Sequence, residues 1–148
     1  MPVGTLLHPE DRARIVERLR RVRPDAKPAW GRLDAPRMVC HVADSMRVAL
    51  GDVAAKPTHN FVTRTLVRFL VIHTGIAPPR GKVETAPEML ASQPTSWDAD
   101  LAACSALLDR VGGGTCTAVH PAFGPLSPRE WARLSWKHVD HHLRQFGA

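Results

Sequence analysis

The chain has 148 residues with a formal net charge of +6, and 44% of the residues are hydrophobic. That length suffices for one domain with its own core, so we expect a single domain over residues 1–148. The longest clean apolar run, Phe69–Ile72, is too short to cross a membrane, and no export signal is recognisable. Cys40, Cys104 and Cys116 are too few and too scattered for a disulfide framework, so we expect reduced thiols in a cytoplasmic protein.

The basic residues are dispersed, although several arginines gather in the first predicted helix, from about Pro9 to Val22. There they are interleaved with apolar positions such as Ile15 and Leu19, which is typical of an amphipathic helix with a solvated face. Pro24 ends this helix. No nucleic-acid motif accompanies the charge, and aromatic residues make up only 5% of the chain. The composition therefore argues against a nucleic-acid partner.

The second predicted helix follows Asp34 and runs to Leu50. Asp34 suits the N-cap, Pro36 lies in the first turn where its missing N–H costs little, and Gly51 ends the helix. At about 100° per residue, one stripe of this helix faces inward: Met38, His41, Val42, Ser45, Val48 and Ala49. The outward positions are Arg37, Asp44 and Arg47. One histidine is therefore aimed at the core.

The middle of the chain is less regular. Residues Asn60–His73 carry apolar spacing that predicts a helix, and a long proline-rich stretch follows from Thr74 to Gln93. Arg80 and Lys82 within that stretch are candidates to lie over a pocket mouth and contact a substrate carboxylate. A surface connection with solvated charges is the alternative for this loop.

Two further helices are marked by their N-caps. Ser96 suits the cap of a helix over Trp97–Val111. A glycine turn at 112–114 ends that helix, and a short extended piece is expected over Thr115–Val119. The last helix opens with Ser127–Glu130, which form a capping box with proline at the first helical position.

The last helix carries a pair of histidines. His138 and His142 are four residues apart near the middle of the apolar arc, so both imidazoles leave one face about a turn apart. His141 lies at the edge of that arc. The solvated arc is formed by Arg133, Lys137, Asp140 and Arg144.

Together, His41, His138 and His142 predict a three-histidine site for one divalent transition metal, for which Zn, Ni and Fe are the candidates. Three protein ligands would leave positions open for water or substrate. The alternative is that the histidines are core residues, each hydrogen-bonded to a neighbour.

Helices dominate these predictions and strands are nearly absent. We therefore expect an all-α fold, a four-helix bundle with one extra short helix and a long proline-rich loop. Metal sites in such bundles form between facing helices, which is the arrangement that three inward histidines on two helices require.

The chain also resembles the DinB-like superfamily of metalloenzymes, in a subgroup of bacterial proteins. Three segments carry the likeness: Trp30–Leu33 with Met38–Asp44, His120–Ser127, and Trp131–Gly147. The resemblance implies a four-helix bundle whose divalent metal is held by one histidine of the second helix and a pair from the last. Those positions match His41, His138 and His142. It also implies that relatives transfer low-molecular-weight thiols and that many form dimers, so a homodimer is an expectation here.

Three functions follow as hypotheses. The first is a metal-dependent transferase whose partners are a small-molecule thiol and an electrophile, with Arg80, Lys82 and His141 as candidate substrate contacts. His141 also fits a place beside the metal ligands or at an interface. The second is a metallohydrolase that uses the same site. The third is a metal-free helical module that binds a partner or nucleic acid.

Overall fold

The computed structural model describes residues 3–77 and 85–148. Its elements, in chain order, are as follows: α1 Pro9–Arg21, α2 Ala35–Ala49, a π-helical segment Thr63–Val67, α3 Arg68–His73, a 3₁₀ turn Pro87–Leu90, α4 Trp97–Gly112, β1 Val119–His120, β2 Gly124–Pro125 and α5 Pro128–Gln145. The expected all-α fold is confirmed, and the two short strands form one antiparallel hairpin.

The bundle is built from α1, α2, α4 and α5. Both α4 and α5 pack against α1 and also against α2. The core between them is apolar and includes Ile15, Met38, Val42, Leu108 and Leu143, all at most 1% exposed. The site-bearing helices α2 and α5 thus meet inside this core.

The helix starts follow the sequence signals closely. Asp34 accepts a hydrogen bond from the backbone N–H of Arg37, and Ser96 accepts one from Ala99. Ser127 and Glu130 form the reciprocal capping box. These caps satisfy backbone groups that the first turn of a helix leaves unpaired. Each of the three cap predictions is confirmed.

The helix predicted over Asn60–His73 forms, but most of its apolar residues do not face the core. It begins with π-helical backbone and continues as α3. Ile72 is fully buried, whereas Phe61 is 82% and Phe69 is 58% exposed. Leu66 is also exposed. These three residues therefore lie outside the core of the bundle.

Two carboxylates expected on solvated faces are buried. Asp44 accepts hydrogen bonds from the backbone and hydroxyl of Ser92 and from Arg47. Asp140 pairs with Arg18 at 2.7 Å and with Arg144 at 3.1 Å. The expected outward placement is therefore wrong, because a paired and hydrogen-bonded carboxylate can be buried where a lone one cannot.

Within the described residues, no helix combines the length and apolarity that crossing a membrane requires.

Candidate metal centre

The three inward histidines of α2 and α5 meet at one point. The imidazole centroids of His41, His138 and His142 are separated by 4.7, 4.8 and 4.8 Å, so the rings form a nearly equilateral triangle. Each pair of rings is close to perpendicular. Only 3% of His41 and 9% of His142 are exposed, whereas His138 is partly exposed. His138 is thus the least buried residue of the three.

The ligand nitrogens of the three histidines all lie within 4.8 Å of one another. The Nε2 of His138 lies 2.9 Å from that of His41 and 3.1 Å from that of His142. Two nitrogens that bind one zinc ion at about 2.0–2.1 Å each can be at most about 4.2 Å apart. Both distances are within that limit. What the cluster can hold depends on where the imidazole protons are.

The proton of His41 is fixed on Nδ1 by the 3₁₀ turn. Its Nδ1 lies 2.7 Å from the carbonyl oxygen of Met89. A carbonyl oxygen only accepts hydrogen bonds, so Nδ1 must carry the proton. The Nε2 of His41 therefore presents a lone pair to the centre.

The proton of His142 is fixed by the side chain of Gln145. The amide nitrogen of Gln145 donates to the carbonyl oxygen of Trp30, which leaves its oxygen to accept from His142 Nδ1 at 2.8 Å. Gly31 makes room for this amide, since a Cβ there would lie 2.4 Å from the Gln145 nitrogen, and its φ of +83° also favours glycine. His142 is thus a second Nε2 lone-pair donor.

The Nδ1 of His138 lies 3.1 Å from the Ser45 hydroxyl, which also donates to the carbonyl oxygen of Val42 at 2.7 Å. With its hydrogen on Val42, the hydroxyl accepts from His138 Nδ1. In that tautomer all three rings offer a bare Nε2, which is the form that binds a metal ion.

The pKa values of the three histidines are all lowered. Burial lowers the pKa of His41, and burial together with the neighbouring histidines lowers the pKa of His138 well below its usual range. Burial and the charge of His41 lower the pKa of His142 to about 3. The three imidazoles are thus neutral at pH 7, and the neutral imidazole is the form that binds a metal ion.

The donor set fits a divalent transition metal. Neutral imidazole is a good ligand for Zn, Ni and Fe, and each ring donates its other N–H to a protein acceptor, as metal-bound histidines ordinarily do. Among the described residues, the group of potential ligands consists of His41, His138 and His142, with no carboxylate or thiol. Three ligands with open positions are typical of a catalytic site.

Of the three predicted substrate contacts, the structure places only His141. The ring of His141 packs edge-on against Trp30 and His142, with centroids 5.8 and 5.3 Å away, so it lies beside the triad without joining it. Arg80 and Lys82 lie outside the described residues. Two shallow grooves, of about 420 and 200 Å³, lie between α1 and α4, and no triad residue lines them.

Three residues that orient the imidazoles were not anticipated: Ser45, Met89 and Gln145. The spacing of Gln145, three residues after His142, would have indicated a contact on one helical face. Ser45 is on the inward stripe of α2, but its partner His138 is 93 positions away on α5, so spacing alone does not predict this contact. Met89 contributes a backbone carbonyl from a distant turn, and the sequence carries no signal for that.

No curated protein and no solved structure shows detectable similarity to the chain. Residues 6–148 match a family that is described as "Protein of unknown function (DUF1569)". Because the match covers nearly the whole chain, including the elements that carry the triad, the protein belongs to the DUF1569 family.

Proposed function

We propose that this protein is a metal-dependent transferase that joins a low-molecular-weight thiol to an electrophile, with His41, His138 and His142 as the metal ligands. The observation that carries the proposal is the grouping of three histidines whose ligand nitrogens lie within 4.8 Å of one another, each with a protein partner at its Nδ1. The likeness to the DinB-like superfamily supports the thiol as co-substrate, and kinship with that superfamily is part of the proposal.

The protein orients the three imidazoles toward the metal and limits the access of substrates to it. Met89, Ser45 and Gln145 accept the three Nδ1–H groups and so keep each Nε2 directed inward. A divalent metal bound there would supply the positive charge that favours a thiolate over a thiol at neutral pH. We place the approach of the substrates beside His138, the least buried of the three residues.

The net reaction exchanges one bond for another. The thiol sulfur forms a bond to the electrophilic carbon, and the bond from that carbon to its leaving group breaks with its electron pair. The thiol proton is released to solvent or to the leaving group. The protein lowers the barrier by orienting the reactants and by excluding water from the buried side of the triad.

One observation favours a thiol over water as nucleophile. Metal-assisted hydrolysis commonly needs a carboxylate as general base beside the site. Asp44 is one turn from His41, but its oxygens accept from Ser92 and Arg47. A thiol, which is far more acidic than water, has less need of such a base.

The test is to load the full chain with cobalt(II) and titrate it with 2-mercaptoethanol. We expect the visible spectrum of the loaded wild type to change saturably with thiol. His142→Ala should lose both the cobalt and the response. Arg144→Ala is the matched control, because Arg144 is an exposed residue of the same helix outside the triad, and it should behave like the wild type.

The alternatives give different outcomes. A cobalt-loaded protein that ignores thiols but hydrolyses 4-nitrophenyl acetate, with loss of hydrolysis in His142→Ala, would replace the transferase by a metallohydrolase. A wild type that binds no divalent metal would overturn both enzymatic hypotheses and favour a metal-free binding module.

A further inference from the structure

His120 lies at the junction of the two helices that carry the triad. Its strand, β1, contacts α2, which bears His41. Its ring stacks on Phe123 with centroids 4.5 Å apart and lies 5.1 Å from the ring of Trp131, which is on α5. The Trp131 indole N–H donates to the carbonyl oxygen of Ala118 at 2.7 Å, which fixes the strand against that helix. The imidazole of His120 is thus held between rigid neighbours.

The tautomer of His120 is opposite to that of the triad. The backbone N–H groups of Ala122 and Phe123 donate to its Nδ1 at 3.0 and 3.1 Å. Since Nδ1 accepts, the proton of the neutral ring is on Nε2. Across residues 3–77 and 85–148, no acceptor is hydrogen-bonded to that Nε2–H. Burial lowers the pKa of His120 to about 4, so the ring is an uncharged donor at pH 7.

His120 also lies beside the face of α5 that carries the triad. Its ring neighbour Trp131 precedes His138 by seven residues, about two helical turns, on one face of that helix. The hairpin therefore places an N–H donor on the approach to His138. The triad supplies metal ligands and His120 supplies a hydrogen-bond donor, so the two features are complementary.

We infer that His120 is a substrate-binding residue whose Nε2–H donates a hydrogen bond to an oxygen of the thiol held at the triad, and that the thiol carries a carboxylate. This inference rests on the proposed transferase function. A rigid neutral donor suits a carboxylate because a hydrogen bond to a charged acceptor is stronger than one between neutral groups. A matched thiol that lacks the carboxylate would leave the donor unpaired.

A purely structural role for His120 makes a different prediction. Its Nδ1 accepts hydrogen bonds from the backbone of Ala122 and Phe123. Its Nε2 is the atom that we assign to the substrate. In His120→Asn, the side-chain oxygen can still accept from the turn, but nothing reaches the Nε2 position. In His120→Gln, the amide nitrogen reaches that position and keeps a donor there. The pair of variants therefore separates the two nitrogens.

The experiment compares two thiols of similar size, 3-mercaptopropionate and 1-butanethiol, on the cobalt-loaded full chain at pH 7. We expect the wild type to bind the carboxylate thiol about 10- to 100-fold more tightly, the range for a hydrogen bond to a charged group. His120→Asn should lose most of this preference while its cobalt affinity and thermal unfolding midpoint stay near the wild-type values. His120→Gln should retain part of the preference.

Three results would overturn the inference. The first is an unchanged preference in His120→Asn, which would leave His120 with its structural role and the transferase proposal intact. The second is a preference that falls only together with cobalt affinity, which would show that His120 acts through the triad. The third is a cobalt-loaded wild type that binds neither thiol, which would refute the proposed function and the inference with it.

Discussion

The helix pair α2 and α5 and the helix from Thr63 to His73 are both rich in apolar residues, yet they differ in where those residues lie. Met38 and Leu143 in the pair are fully buried, whereas Leu66 and Phe69 in the other helix are 59% and 58% exposed. A helical apolar spacing shows that a helix has an apolar stripe. It does not show that the fold covers that stripe.

The two regions are also held by different forces. The pair is held mainly by apolar packing, with the histidine cluster inside it. The helix from Thr63 to His73 is tied to α5 by polar contacts: Arg68 pairs with both oxygens of Glu130, and the Lys137 amine donates to carbonyls at the end of α3. Because exposed helices with few buried contacts open most easily, we expect the second region to have the lower local stability.

Leucine truncation should give the largest difference between the regions. Leu143→Ala removes a fully buried side chain from α5 and should lower the free energy of unfolding by about 2–5 kcal/mol. Leu66→Ala makes the same chemical change at an exposed position and should cost about 0.5 kcal/mol or less. Denaturant unfolding of both variants checks this, and equal costs would contradict the comparison.

The second largest effect should be on metal affinity, when the hydrogen bond that orients His142 is removed. Gln145→Ala leaves the Nδ1–H of His142 without its acceptor and should weaken metal binding about 10- to 100-fold. Gly31→Ala should weaken it in the same direction, because a Cβ would displace the Gln145 amide. Competition with a chelator measures both effects. Arg144→Ala, an exposed neighbour on α5, should leave the affinity unchanged.

The Glu130 contact should give a smaller, pH-dependent effect. Burial alone would raise the pKa of Glu130, but hydrogen bonds from Arg68, Ser127 and His73 outweigh it and lower the pKa to about 2. A carboxylate with a lowered folded pKa stabilises the protein above its ordinary value of 4.5 and loses that contribution as the pH falls toward 2.

Glu130→Gln should therefore destabilise the metal-free protein at pH 6, and the difference from wild type should shrink by pH 3. Urea unfolding at the two pH values measures this. A difference that stays constant with pH would show that the carboxylate charge is not what ties α3 to α5.

The smallest expected effect concerns Lys137. Lys137→Met keeps the length of the side chain but removes the donor to the carbonyls of Val71, Thr74 and Ile76. Global stability should change little, whereas amide hydrogen exchange should speed up in the segment from α3 to residue 77. Unchanged exchange there would mean that this lysine does not restrain the segment.

The sequence predicted what depends on local signals. Asp34, Ser96 and Ser127 mark helix starts because a cap acts within one turn, and the period of the helix placed His138 and His142 on one face. The burial of Asp44 and Asp140 could not be read in this way, because it depends on partners from distant segments.

In the metal site, too, the contacts between distant segments could not be predicted from local sequence patterns. His41 could be placed on an inward stripe, but its meeting with the pair on α5 depends on how α2 and α5 pack. The carbonyl of Met89, which fixes the tautomer of His41, comes from a turn 48 positions along the chain. Local patterns hold no information about such a contact.

The most direct test of the account is the metal content of tag-free protein, measured by mass spectrometry after incubation with Zn, Ni or Fe and removal of free metal. We expect close to one ion per chain in the wild type and in His141→Ala, and none in the His138→Ala/His142→Ala double variant, with helicity retained in all three. A wild type that holds no metal under any of these conditions, or a double variant that holds as much as the wild type, would contradict the assignment of the three histidines as a metal centre.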